Sequence, residues 1–569
     1  MRWSRLIVLL LTLASIGLTA CAAPSTPTQV GSPPAGSADP KRITAGIRGD
    51  PKILNDAINF AAGGSSVAGV REIENLLNAG LTVSRPDGTQ GPQLAEVAPT
   101  LQNGLWKLLP DGHMELTWKL RGNAAWHDGV PVTADDLVFS AQVARDKGLA
   151  MSQDPAFKFI DTVEAPDTNT VLVRWSQPFV DADKLFSQTR NNRNLPLPKH
   201  LLESTYLDDK VNFTQSSVFG QNYVGTGPYK LQAWELGGFL NLAANDQYVL
   251  GRPKIDEIQV RFILDTNTIM AHILSGAVDV TLGRGLDPEQ AILVRQQWSD
   301  GSVDAGLQNT TQLRPQYLNA QPTQLTDARF RRALMYAMDR QQIVDTFLAG
   351  FVPVADSNYS PEEPEYNDIK AQIVRYEFDP RKSIQILEGM GLTRGTDGMF
   401  RDASGVPVAP IEIRTRTHPL REKVQQVIAD EWRDVGLMGE PLVVPEQRIN
   451  DREYQATYPG FYFRFGGPDE NEFDSCCIPG PENNFSGNDG TRYKSAELDG
   501  LLQRFRTTIP RSERMDVLGQ IMHHMTDQLV ILPMYHEPEP ALISNHLVGA
   551  AGRRADGVQT WNVQDWDLK

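Results

Sequence analysis

Residues 117–142 read TWKLRGNAAWHDGVPVTADDLVFSAQ, and the rest of the chain can be parsed outward from them. Their start closes an alternating run. Met114, Leu116, Trp118 and Leu120 fall on one side of an extended chain, and Pro110-Asp111-Gly112 supplies the turn before it. That spacing predicts a hairpin over 105–120. Trp126-His127-Asp128-Gly129 reads as a turn in which the glycine is free to take positive φ. His127 is then a turn residue rather than a ligand. Thr133-Ala134-Asp135-Asp136 opens a helix, with a hydroxyl able to cap early amides and two carboxylates at the positive helix end.

Upstream, 43–47 is a candidate strand. Residues 55–69 are rich in Ala, Gly, Ser and Asn and read as a loop, and 73–81 as a helix. Downstream, 171–175, 226–234, 239–243 and 255–263 have strand character, 266–275 is helical, and 278–280 is a short buried strand. Phe330, Leu334, Ala337 and Met338 mark one helical face, and Asp339 caps a second helix that stops at Gly350. Arg331, Arg332, Asp339 and Arg340 read as helix-surface and interlobe ion pairs. A strand at 411–414 precedes a helix over 421–435, and 512–528 is amphipathic. The pattern is mixed α/β without strict alternation or repeats.

The 569 residues carry a formal net charge of −16, which argues against a nucleic-acid partner. The length exceeds one hydrophobic core and implies two or more lobes. Arg2 and Arg5 precede an apolar stretch over 6–18 that is too short to span a bilayer. Leu18-Thr19-Ala20-Cys21 resembles a bacterial lipobox, which implies a signal peptide over 1–20 and lipidation at Cys21. Residues 21–40, rich in Ala, Pro, Ser and Thr, read as an extended tether. The membrane would then be reached through the lipid alone. The other two cysteines, Cys476 and Cys477, are adjacent. They read as free thiols, with a vicinal disulfide as the alternative.

Several blocks stand in fixed order: PQLAEV at 92–97, the stretch 117–142, GTGPYKL at 225–231, LSGAVDV at 274–280, RFRRALMYAMDRQQIVDT at 329–346 and SERMDVLGQIMHHMTDQLVIL at 512–532. With these blocks, the chain resembles family 5 of the extracellular solute-binding proteins, the peptide/nickel class serving bacterial ABC importers. The resemblance implies an α/β, periplasmic-binding-protein-like fold, with two ligand-clamping lobes joined by a hinge and an inserted scaffolding lobe. It places lobe I at 41–83, 222–308 and 536–569, lobe II at 84–221 and lobe III at 309–535. It implies a monomer that captures a peptide or small molecule and passes it to a permease and ATPase complex, without catalysis, cofactor or metal.

The family's ligand segments map onto Asn59, Phe60, Gly64, Ser65 and Ser66, onto Tyr317, Leu318 and Asn319, and onto Tyr462, Phe463, Arg464 and Phe465. Phe465 stands where peptide binders carry an aspartate for the ligand's α-amino group, so either Asp469 or Glu470 supplies the charge through a shifted loop or the ligand has no amino terminus to anchor. Arg464 favours an anionic group. A competing reading puts Phe461, Phe463 and Phe465 on one strand face in the core. A hydrolase is disfavoured, because Gly64-Ser65-Ser66-Val67-Ala68 lacks the last glycine of the nucleophile elbow. His523-His524 is the only histidine pair, and its helix position puts His523 in solvent, away from the buried face, which weakens a direct nickel-type reading.

Overall fold

The computed structural model describes residues 39–63, 67–152, 154–189, 194–487, 489–555 and 557–569. The expected signal peptide, Cys21 and nearly all of the expected tether lie outside them. The folded unit is Lys41–Lys569.

Among the described residues, ten strands form the main sheet. In chain order they are β1 (Arg42–Ile47), β2 (Tyr229–Glu235), β3 (Phe239–Ala244), β4 (Glu257–Phe262), β5 (Val280–Thr281), β6 (Gly301–Pro315), β7 (Ile411–Thr415), β8 (Gly439–Val443), β9 (Phe461–Gly466) and β10 (Leu532–Ser544). Across the sheet the order is β8-β7-β9-β6-β10-β5-β1-β4-β3-β2. β6 and β10 run antiparallel over nearly their whole lengths. The far end of β6 pairs with β9, and the far end of β10 pairs with β5. These two strands therefore carry the chain between two half-sheets, each with its own core.

One core packs Ile43, Ile47, Leu76, Leu77, Val260 and Val280, and the other packs Phe330, Leu334, Ile413, Ile428, Trp432 and Phe463. In the second half, β7 and β8 are parallel, so they need a crossover, which the helix Pro419–Asp434 supplies.

All thirteen residues of β10 are buried. Pro533, Pro538 and Pro540 remove ladder donors from it. The pairing compensates by slipping register between Leu307 and Asn309 and again between Thr311 and Gln312. Such bulges bend a strand, and both fall in the middle of the crossover.

The insertion after the first helices carries a separate four-stranded sheet, with Trp118, Trp126 and Trp175 fully buried beneath it. The hairpin and capped helix of 117–142 lie here as expected, at Trp106–Leu108, Met114–Lys119 and Ala134–Arg145. His127 is a fastener between this lobe and the returning chain. Its amide donates to Gly225 O at 2.8 Å, its Nδ1 accepts from Gly225 N at 3.2 Å, and its Nε2 lies 3.1 Å from Gly227 O. Burial pushes the imidazole down to about 4. Gly225 is required at this seam, because a Cβ there would sit 1.9 Å from Leu77 O.

Three expectations need correction. Residues 55–69 are not all loop: Asp56–Gly63 is a helix, capped by Asn55 Oδ1 accepting from Ile58 N at 3.0 Å. Arg331 and Arg340 are not surface or interlobe groups. Both are buried and donate to backbone carbonyls of their own half, Arg331 to Leu325, Gln528 and Leu529, and Arg340 to Ala355 and Tyr376. Finally, Cys476 and Cys477 are joined as a vicinal disulfide rather than standing as free thiols.

Candidate functional site

The two half-sheets meet at a buried charge cluster on the crossover strands. Glu537 lies on β10 and accepts from Thr311 Oγ1 of β6 at 2.6 Å. Arg284, just after β5, reaches Glu537 at 3.3 Å. Arg421, at the start of the helix after β7, reaches the same carboxylate at 3.5 Å. One carboxylate thus faces guanidinium groups from both halves. Nε and Nη1 of Arg421 have no hydrogen-bond partner among the described residues despite their burial. Burial lowers the proton affinity of Arg421, which Glu537 only partly offsets. His418 shares these surroundings. Burial and then Arg421 push it below the ordinary histidine value. At the rim, Lys423 and Glu289 pair at 3.2 Å between the same two halves.

Around this cluster the expected ligand residues separate into groups. Phe465 is 40% exposed, with the Arg421 guanidinium 5.6 Å from its ring centre. Arg464 is exposed beside it and lies 5.9 Å from the Tyr462 ring. Repulsion from Arg314 lowers its proton affinity. Asp469 is exposed, shortly after β9 ends. Tyr462 is buried, and its hydroxyl accepts from Arg416 Nε at 3.1 Å.

Phe463 has 0% exposure within the core of its half, so its expected ligand contact is withdrawn. Tyr317 is also committed internally. Its hydroxyl donates to Leu529 O at 3.3 Å, and its ring packs at a tilt against Tyr493 and lies under the Arg331 guanidinium. Asn319 is exposed and donates to Thr457 O at 3.3 Å. Asn59 spends its amide donors on Ile53 O and Asn55 O, both at 2.8 Å. Phe60 falls in the helix Asp56–Gly63, and its side chain is not among those described. Gly64, Ser65 and Ser66 lie outside the described residues. The alternation in β9 therefore splits: Phe461 and Phe463 go to the core, while Phe465 turns out.

Behind Arg464 sits a second buried group. Arg314, 1% exposed, grips Glu472 with both nitrogens, at 2.5 and 2.9 Å. Burial alone would raise the Glu472 carboxyl, and Arg314 outweighs it, leaving Glu472 below the ordinary value. Gly466 leaves room for this pair, since a Cβ there would lie 2.3 Å from Arg314 Nη2. Asp489 is also fully buried. Its Oδ1 accepts from Thr491 N, Thr491 Oγ1 and Arg492 N, while Oδ2 has no hydrogen-bond partner among the described residues. Burial pushes it up to about 7 against those bonds.

Sequence reasoning missed Arg284, His418, Arg421 and Glu537 as site residues. A signal was present in His536-Glu537-Pro538-Glu539-Pro540, which sets two carboxylates inside an otherwise apolar strand. His523 and His524 are held by protein partners, His523 by Gln372 O at 3.2 Å and His524 by Tyr493 Oη at 3.0 Å and Glu497 at 3.3 Å.

The oligopeptide-binding protein AppA of Bacillus subtilis is 23% identical over 538 residues, covering 92% of this chain and 91% of that one. Among solved structures, the oligopeptide-binding protein of Thermus thermophilus complexed with a pentapeptide superposes with a TM-score of 0.70. It is 21% identical, covering 93% of this chain and 96% of that one. NikZ of Campylobacter jejuni in complex with Ni(L-His) also gives 0.70, at 22% identity, covering 93% and 99%. The fold is thus shared by proteins with different cargoes. The sequence profile of the bacterial extracellular solute-binding proteins, family 5 middle, matches residues 96–474, well over half the chain, and the chain belongs to that family.

Proposed function

We propose that the protein captures peptides or peptide-like solutes outside the cytoplasm and delivers them to an ABC permease and its ATPase. The observation that carries this reading is Glu537, held between Arg284 and Arg421 from opposite halves of the sheet. A ligand that touches both faces there favours the closed arrangement over the open one, which is a shift of population and needs no chemistry on the ligand. The clamping lobes are taken as 41–83 with 222–308 and 536–569, against 309–535, and 84–221 as the scaffold. The protein acts as a monomer.

The test is mass spectrometry of small molecules released when the purified protein is denatured. Peptides are expected, and consistent recovery of a non-peptide solute would overturn the peptide part. For a recovered peptide with a free amino group, Asp469 is the residue proposed to hold the ammonium through a charge-assisted bond. Asp469→Asn is expected to weaken binding by at least about tenfold, roughly 1.4 kcal/mol. N-acetylating the peptide should cost a similar amount, and the two losses should not add. Unchanged affinity in both experiments would remove Asp469 from the site and turn attention to Arg464 and Phe465.

The protein is also proposed to be held to its membrane through acylated Cys21. An acidic body is repelled by anionic headgroups, so a lipid rather than surface adhesion retains it. Wild type is expected in the detergent phase on phase separation, and Cys21→Ser in the aqueous phase. Identical partitioning of the two would rule out the anchor.

A further inference from the structure

We propose that Cys476–Cys477 is a redox-responsive brace that sets the order of the segment carrying the ligand residues. The proposal rests on the assignment of Asp469, the ligand residue in that segment, to the ligand site.

The segment leaves β9 after Gly466 and returns to the core near Thr491, whose carbonyl accepts from Tyr317 N at 3.0 Å. On the outgoing arm, Glu472 is fixed by Arg314. Two residues on, Asp474 is fixed by Arg506 at 2.6 Å and accepts from Cys476 N at 2.8 Å. Cys477 N donates to Asp474 O at 2.9 Å. The returning arm is tied to the same turn, because Asp489 N donates to Cys477 O at 3.1 Å. Gly487 packs so close that a Cβ there would sit 2.1 Å from that carbonyl. The Cys477 carbonyl therefore joins the two arms, and its position depends on the peptide unit between the cysteines.

A bond between adjacent cysteines closes a small ring around that peptide unit and fixes it. Opening the ring frees ψ of Cys476 and φ of Cys477, so the Cys477 Cα and the carbonyl it carries can leave the place that Asp489 N and Gly487 require. Cys476 is exposed and Cys477 half-buried, so a thiol can reach the bond. Exposed disulfides are the labile kind, and oxidising compartments outside the cytoplasm keep them formed. The reductant is a dithiol. One of its thiolates attacks a cysteine sulfur, breaking the S–S bond and giving a mixed disulfide, which its second thiol resolves. The dithiol leaves as a cyclic disulfide, and two electrons and two protons end on Cys476 and Cys477.

Three measurements on the full chain test this. Alkylation of the untreated protein should leave the peptide containing Cys476 and Cys477 unmodified, and pretreatment with dithiothreitol should let both cysteines react. Hydrogen exchange over 468–491 should speed up about tenfold on reduction. The double variant Cys476→Ser with Cys477→Ser should match the reduced protein without reductant. The thermal shift given by a random pentapeptide library should be smaller in the reduced form. Free thiols in the untreated protein, or exchange unchanged by reduction, would overturn the brace. Faster exchange with no library shift in either form would support the brace while counting against the peptide reading.

Discussion

Arg314→Ala is expected to destabilise the protein by about 3–5 kcal/mol, the usual loss when one partner of a buried ion pair is removed. The arginine is 1% exposed and makes a two-nitrogen grip on Glu472. Its removal strands a carboxylate that burial already penalises. Chemical denaturation of wild type and variant measures the loss. Adding Glu472→Gln to the variant should recover part of it, since the stranded charge is then gone. A loss under about 1 kcal/mol, the range of exposed pairs, would mean that water reaches the pair and the site behind Arg464 is open.

Asp489→Asn should do the opposite, and only at higher pH. The folded protein holds this carboxyl at about 7, against an ordinary value of 3.8. A raised carboxyl favours its protonated form in the fold. Its contribution is complete below the unfolded value and is lost as pH rises through about 7. Asparagine keeps the Oδ1 that accepts from Thr491 and Arg492 and never ionises. The variant's stability relative to wild type should therefore improve between pH 5 and pH 8, by about 3 kcal/mol from the shift. Denaturation at the two pH values gives the difference directly. A pH-independent effect would mean that Asp489 is ionised in the fold throughout, with a cation facing Oδ2.

The hairpin and helix of 117–142 were legible because each depends on residues adjacent in sequence: alternation, a turn, a cap. The helix Asp56–Gly63 was not, because its small residues also suit a loop and only the Asn55 cap distinguishes the two. Arg331 was misplaced for a different reason. Its carbonyl acceptors include Gln528 and Leu529, nearly two hundred positions away, and no local pattern announces them. The candidate site has the same character. Arg284, Arg421 and Glu537 come from three distant segments and acquire meaning only once β6 and β10 bring those segments together. The resemblance located β9 but could not assign its faces. The alternation of Phe461, Phe463 and Phe465 suggested one buried face, and the strand's end exposes the last of them.

The position of β10 also bears on how the protein comes into being. Its residues, 532–544, are close to the end of the chain, yet the strand sits between β6 and β5 in the middle of the sheet. Until it arrives, the nascent chain can hold only two separate half-sheets, each with a bare edge of unpaired amides and carbonyls. Such edges invite pairing with other chains, and joining them requires contacts of very long sequence separation, which form slowly. The strand that comes last in the chain order of the main sheet thus fills a place in its middle, and the two halves cannot be joined through it until residues 532–544 are seated.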